Sequence, residues 1–213
     1  MKKITRLFAI FIVAALALSL CACVREKEDD RLIGTWSLIT TDNSAQAEKL
    51  LSHSDLYEEE IAVVNKDRLC IVKTVQFSSD KTYRFGYDVE GTKACVRKFY
   101  SDVFADLYEN RASLNGLYEA DISGLSQEDF YLFYAKLYGK DSFAALIEMF
   151  TDNSYDYTAL AQNTETGTYK IVGEKLLTEK AGETTPGAFT YDVDETTLQL
   201  HYTNATETYT KTD

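Results

Sequence analysis

The side chains able to do chemistry in this chain are few: four cysteines, two histidines and two acidic clusters. His53 lies in a polar stretch, and His201 shares a strand face with Thr197, Gln199 and Thr203, which reads as solvated. A histidine acts as a general base when a nucleophile lies within hydrogen-bond reach. Neither a Gly-x-Ser-x-Gly turn nor a Cys-plus-His arrangement supplies one. Asp152-x-Ser154-x-Asp156 opens like a calcium loop, but Tyr157 stands where the sixth-position glycine is needed and Asn163 where the twelfth-position glutamate is needed. Glu58-Glu59-Glu60 reads as a solvated acidic face. The expectation is therefore a non-enzyme, with no catalytic residues, no metal and no cofactor.

The first two cysteines carry a different chemistry. Lys2, Lys3 and Arg6 form a positive start, Leu7 to Leu20 is apolar except for Ser19, and the stretch ends Leu20-Cys21-Ala22-Cys23. This order is that of a secretory signal peptide. The apolar run of 14 residues is shorter than the ~20 a stable membrane-spanning helix needs. The ending resembles the lipobox of bacterial lipoproteins, in which a small residue precedes the lipid-accepting cysteine. Ala22 precedes Cys23, whereas the bulky Leu20 precedes Cys21, so Cys23 is the expected lipidation site. The expected organisation is a signal peptide over 1–22, a lipidated tether over 23–31 and a folded domain over 32–213, held to the cell membrane on its extracytoplasmic face through the lipid on Cys23.

Removing residues 1–22 takes away Lys2, Lys3 and Arg6 and no acid, so the formal net charge moves from −12 to −15. A surface this acidic repels phosphate backbones, which excludes nucleic acid as an expected partner. Hydrophobic content of 45% is ordinary for a globular domain.

Strand rhythm dominates both ends of the folded part. Alternation and turn residues predict strands at 34–40, 70–78, 81–88, 167–172, 175–179, 187–193, 197–203 and 206–211. Tight turns at Ser79-Asp80, Gly173-Glu174, Asp194-Glu195 and Asn204-Ala205 indicate an up-and-down antiparallel sheet. Between the third and fourth strands, residues 89–166 carry helical spacing. Val96, Phe99, Tyr100, Val103 and Phe104 recur every three or four residues, Ser126-Gln127-Glu128-Asp129 opens a further helix, Gly139 stops it, and Asp141 caps a helix over 142–150 that Asp152-Asn153 ends. Residues 41–67 predict short helices near Asn43 and between Asp55 and Asn65. The fold class is mainly β with an α insertion: an eight-stranded antiparallel barrel interrupted by the 89–166 helices.

Gly34-Thr35-Trp36 on the first strand, together with the C-terminal meander from Gly167, resembles the lipocalin-like (calycin-type) domains found on bacterial lipoproteins. The resemblance covers the first strand, the 70–88 hairpin and 167–213, and leaves 89–166 outside it. It implies that Trp36 closes the barrel base under a basic residue of the last strand, where Lys211 is the one available, although arginine is typical of the family. It also implies binding before catalysis. By alternation Tyr83, Phe85, Tyr87, Phe189, Tyr191 and Tyr202 face inward and are the ligand-binding candidates. So many large residues in a small barrel favour an interior filled by its own side chains over an open cup. The leading expectation is a binding module for a small, partly apolar ligand. The alternative is a protein-interaction module such as an inhibitor, an assembly factor or a host-facing surface protein, with the helices as its patch.

Cys70 and Cys95 remain. With Ser79-Asp80 as the turn, paired hairpin positions sum to 159, which brings Cys70 opposite Val89 and near Cys95. Either a disulfide or two buried thiols fits that placement.

Overall fold

The computed structural model describes residues 26–41, 43–183 and 185–212, so the expected signal peptide and the expected lipidation site at Cys23 lie outside the described residues. Nine strands form one sheet: β1 (Glu26–Lys27), β2 (Gly34–Thr40), β3 (Ile71–Phe77), β4 (Thr82–Tyr87), β5 (Glu165–Val172), β6 (Lys175–Lys180), β7 (Gly187–Val193), β8 (Thr197–His201) and β9 (Thr206–Lys211). From β2 to β9 each strand pairs antiparallel with the next, and β9 returns to β2 through Trp36↔Lys211 and Ser37↔Thr210. The eight strands therefore close an up-and-down barrel and leave no open edge. The short β1 adds to β5 at Ile171 and Val172, below the point where β4 begins at Thr82.

Strand direction sorts the connections into two ends. The links 77–82, 172–175 and 193–197 lie at one end, the base, with Gly34 and Lys211. The links 40–71, 87–165, 180–187 and 201–206 lie at the other, the mouth. The base turns are held by short side chains: Asp80 Oδ1 accepts from Thr82 N at 3.1 Å, and Asp194 Oδ1 accepts from Thr197 N at 2.7 Å. Gly173 has φ +65, the left-handed conformation a tight hairpin turn demands.

The β3–β4 register differs by one from the expected pairing. Val75 lies opposite Phe85 and Phe77 opposite Tyr83, so positions sum to 160. The reason is a three-residue loop: Lys81 takes φ 66, its N–H donates to Ser78 O at 3.1 Å, and Ser78 N donates to Thr82 O at 2.9 Å. A type I turn followed by one left-handed residue makes such a loop.

The described residues also hold six α-helices: α1 (Ser44–Ser52), α2 (Glu58–Ala62), α3 (Val89–Glu109), α4 (Gln127–Leu137), α5 (Phe143–Ser154) and α6 (Tyr157–Gln162). Ser126 Oγ caps α4 by accepting from Asp129 N at 3.2 Å, and Gly139 follows its end at φ +68. Ser142, rather than Asp141, caps α5 by accepting from Ala145 N at 3.2 Å, and that helix runs on to Ser154, through Asp152 and Asn153.

Two cores result. One fills the barrel with Leu32, Trp36, Val75, Phe77, Tyr83, Tyr169, Ile171, Leu176, Leu198, Leu200 and Tyr209, all buried. The other joins Ala47, Leu50, Leu51, Val64 and Leu69 to the buried faces of α3, α4 and α5. The helical body is thus built from two excursions, 41–69 and 89–164, and not from an insertion over 89–166 alone. Both leave and re-enter the barrel at its mouth, so the body stands there. Within the stretch 23–31 expected as a tether, residues from Glu26 onward belong to the fold: β1 pairs with β5, and Leu32, just beyond it, is buried in the barrel core.

Cys70 Sγ is bonded to Cys95 Sγ, with the two Cα atoms 5.4 Å apart. Cys70 precedes β3 at the mouth and Cys95 lies early in α3, so the bond staples the barrel to the helical body. Beside it, Thr92 Oγ1 accepts from Val72 N at 3.1 Å, and Asp88 caps α3 by accepting from Gly91 N at 2.9 Å. A Cβ on Gly91 would lie 2.5 Å from Asp88 Oδ2 and 3.1 Å from Val72 Cγ2, so a larger residue there would push the capping Asp88 carboxylate aside.

Candidate binding site at the barrel mouth

The interior of the barrel is packed by its own rings. Phe77 meets Tyr169 at 5.1 Å between centroids, and Tyr83 meets Phe85 at 5.2 Å. At the base Trp36 Nε1 donates to Leu32 O at 2.9 Å, and Lys211 Nζ sits 5.1 Å from the Trp36 ring centroid. A cation over an indole face is attracted by the ring quadrupole.

Toward the mouth the inward positions change from apolar to polar. Lys73 lies two residues before Val75, Glu207 two before Tyr209, and Glu165 four before Tyr169, all on the interior parity of their strands. Together with Phe85, Tyr87, Tyr202 and Asn163 at the end of α6, they line a cup of about 230 Å³. Its floor is an ordered polar network. Lys73 Nζ donates to Glu207 Oε1 at 2.7 Å, Tyr209 donates to Glu207 Oε2 at 2.8 Å, and Tyr83 donates to Glu165 Oε1 at 2.8 Å. Lys180 Nζ approaches Glu165 at 3.7 Å but lies closer to Glu183, at 2.8 Å.

Burial alone would raise the Glu207 carboxyl, but the hydrogen bonds from Lys73, Tyr209 and Tyr202 and the Lys73 charge outweigh it and hold the group below its ordinary value. Burial and the neighbouring Glu207 carboxylate push the Tyr209 and Tyr202 hydroxyls upward, and burial with the Glu165 bond does the same for Tyr83. These phenols stay protonated as donors, and the Glu207 carboxylate stays ionised as an acceptor. Two glycines make room. A Cβ on Gly167 would lie 2.1 Å from Glu179 O and 2.8 Å from Tyr83 Cε1, and one on Gly86 would lie 3.2 Å from Thr164 Cγ2.

The six inward aromatics predicted from alternation do not act as one set. Phe85, Tyr87 and Tyr202 meet at the cup, and Phe189 packs against Tyr202 with centroids 5.4 Å apart. Tyr83 is buried beneath the cup as part of the barrel filling. Tyr191 belongs to the base end: its hydroxyl donates to Asp29 Oδ2 at 3.2 Å, and burial first, then the Asp29 charge, raises it to about 12. Lys73, Glu165 and Glu207 were missed because charged residues at strand ends read as solvated. Their parity with Val75, Tyr169 and Tyr209 is the signal that places them inward.

Other chemistry-bearing residues are spent on structure. His53 Nδ1 lies 2.7 Å from Lys49 O, and His201 spans Thr206 Oγ1 at 3.0 Å and Asp192 Oδ2 at 2.9 Å on the outer barrel wall. Asp152 and Ser154 end α5, and Asp156 caps α6 by accepting from Ala159 N at 2.9 Å. Glu60 is not on a solvated face. It is fully buried, and its carboxylate accepts from Tyr118 at 2.7 Å, from Tyr134, and from Tyr57 N at 2.9 Å. Glu58 and Glu59 are exposed. Among the described residues, no three His, Cys, Asp or Glu side chains gather into a metal-holding group.

Two further concavities among the described residues exceed 500 Å³. One of about 550 Å³ in the helical body is walled by Tyr100, Tyr138, Phe150 and Tyr155. The other, about 780 Å³, is a polar trough on the outer wall where Lys27 and Arg31 face Asp29, Asp192 and Asp194. The mouth cup differs from both in joining an aromatic wall to two inward carboxylates at the end of a closed barrel. No known protein family matches this chain, and searches of curated proteins and of solved structures likewise find no match.

Proposed function

We propose that this chain is a lipid-anchored, extracytoplasmic binding module of lipocalin-like type, attached to the cell membrane through Cys23, that holds a small, partly apolar ligand at the barrel mouth. The observation that carries the reading is the cup itself: Phe85, Tyr87 and Tyr202 supply apolar walls, and Glu165 and Glu207 supply acceptors beside a single lining lysine, Lys73. Small-molecule sites join a mostly apolar wall to a few fixed polar groups in this way. With two carboxylates facing one lining ammonium, the site favours a ligand with a cationic or hydroxyl-bearing end. A filled barrel leaves the mouth, rather than the interior, as the place to bind. The Trp36–Lys211 pairing at the base supports the lipocalin-like reading, and a mature charge of −15 argues against nucleic acid.

Native mass spectrometry of the mature domain purified from its own host is the direct test. A retained small molecule is expected, and Tyr87→Ala and Glu165→Gln should each lose it while the thermal midpoint stays within a few degrees. Retention by both variants would rule out the cup. The second reading, a protein-interaction module, draws on the filled interior and on Tyr202, which is 38% exposed at the rim. In that case the same variants would lose a protein partner and carry no small molecule.

A further inference from the structure

The chain enters the barrel from below. β1 runs antiparallel to β5, with Glu26 opposite Val172 and Lys27 opposite Ile171, and Val172 leads into the base turn at Gly173. Glu26 is therefore nearer the base than Lys27, and the preceding residues arrive from that side. The entry is pinned. Asp29 accepts from Arg31 Nε at 2.9 Å and from Arg31 Nη2 at 2.8 Å, Tyr191 donates to the same carboxylate, and Leu32 is fully buried. Cys23 precedes Glu26 by three residues. A fully extended chain spans at most about 3.6 Å per residue, so the Cys23 backbone lies within roughly 11 Å of Glu26.

We propose that this short covalent reach seats the barrel base on the lipid surface and points the mouth cup and helical body away from the bilayer. The inference rests on lipidation of Cys23. Both helical excursions return to the mouth, and seven-residue strands such as β2 put it about 20 Å from the base. The occupant of the base is the lipid surface itself. Charge does not draw it there, because Lys27, Lys81 and Lys175 at the base are matched by Glu28, Asp80 and Glu174, with Lys81 Nζ 3.7 Å from Glu28. The contact is enforced by chain length, so added salt leaves it in place, unlike an attraction screened over about 10 Å.

The test uses the full lipidated protein in phosphatidylcholine vesicles doped with headgroup-nitroxide lipid. A single bioorthogonal fluorophore is placed at Glu195 in a base turn or at Leu137 on the helical body. Quenching at Glu195 should exceed that at Leu137 at least threefold at low and high salt, and fifteen Gly/Ser residues inserted between Arg25 and Glu26 should erase the difference. Equal quenching at both sites, in protein whose intact mass shows lipid on Cys23, overturns the orientation and leaves the lipidation reading standing. Absence of lipid mass on Cys23 removes the lipidation reading and this proposal with it.

Discussion

The barrel and the helical body solve the same problem, burying an apolar core, by opposite routes. In the barrel each strand from β2 to β9 pairs with its neighbour in sequence, through a short link except at the 40–71 and 87–165 crossings, and alternation alone decides which side chains face inward. In the helical body the core is shared by two segments that the β3–β4 hairpin separates, so Leu50, Leu51 and Leu69 lie in one cluster with the sequence-distant Val96, Phe104 and Phe130. The helical body also buries two carboxyl groups. Glu60 is caged by tyrosine hydroxyls, and Asp106 accepts from Asn65 N and Arg68 Nη1, both at 2.9 Å. A core assembled from distant segments needs directional contacts to choose its register, whereas hairpins choose theirs locally.

The largest effect should come from separating the two regions. Replacing 89–164 alone with a Gly/Ser connector would uncover the apolar face of 41–69 and should produce an aggregating protein. Replacing both 41–69 and 89–164, with Cys70→Ser, should leave a soluble species with β-type circular dichroism and little helix signal. Failure of the double replacement to fold would make the barrel dependent on the body and remove the contrast.

Next in size is the Cys70–Cys95 staple. Closing a loop of 25 residues stabilises the native state by about 3.5 kcal/mol on the chain-entropy model. Cys95→Ala should lower the urea midpoint accordingly. Alkylation of the denatured, unreduced mature domain should add no groups before reduction and two after it.

Glu60 sharpens the comparison inside the helical body. Glu60→Ala strands two hydroxyls and a backbone N–H in the core and should cost about 2–3 kcal/mol, while Tyr118→Phe should cost about 1 kcal/mol. Equilibrium denaturation followed by helix ellipticity measures both. A cost near zero for Glu60→Ala would show that the cage does not select the packing.

The smallest effect belongs to the mouth network. Glu207 has a folded-state value below its ordinary one, so its contribution is complete above the usual carboxylate range, about pH 4.3, and is lost as pH falls through the depressed value. Lys73 is 38% exposed, and solvent screening holds the pair to under about 1 kcal/mol. Lys73→Met should flatten the stability profile below pH 5 by that amount, measured by thermal melts across pH 3–7.

The strand set was legible because inward and outward residues alternate with period two over several residues, and because Asp and Gly mark the turns. Period two was also followed too literally. It grouped Tyr191 with Tyr202, although an antiparallel strand order sends Tyr191 to the base and Tyr202 to the mouth. A turn read as two residues, without the left-handed Lys81, moved the β3–β4 register by one.

By itself the sequence determined the eight strands and their order and the helical spacing of α3, because each is written in contiguous residues. The tertiary structure alone decided that 41–69 joins the helices, that Glu60 is buried, and that Lys73, Glu165 and Glu207 converge with Phe85, Tyr87 and Tyr202 on one cup. Those outcomes depend on contacts between residues up to about 134 positions apart, as between Lys73 and Glu207. No local pattern encodes such distances, because a charged side chain at a strand end has the same sequence surroundings whether it meets solvent or a partner across a closed barrel.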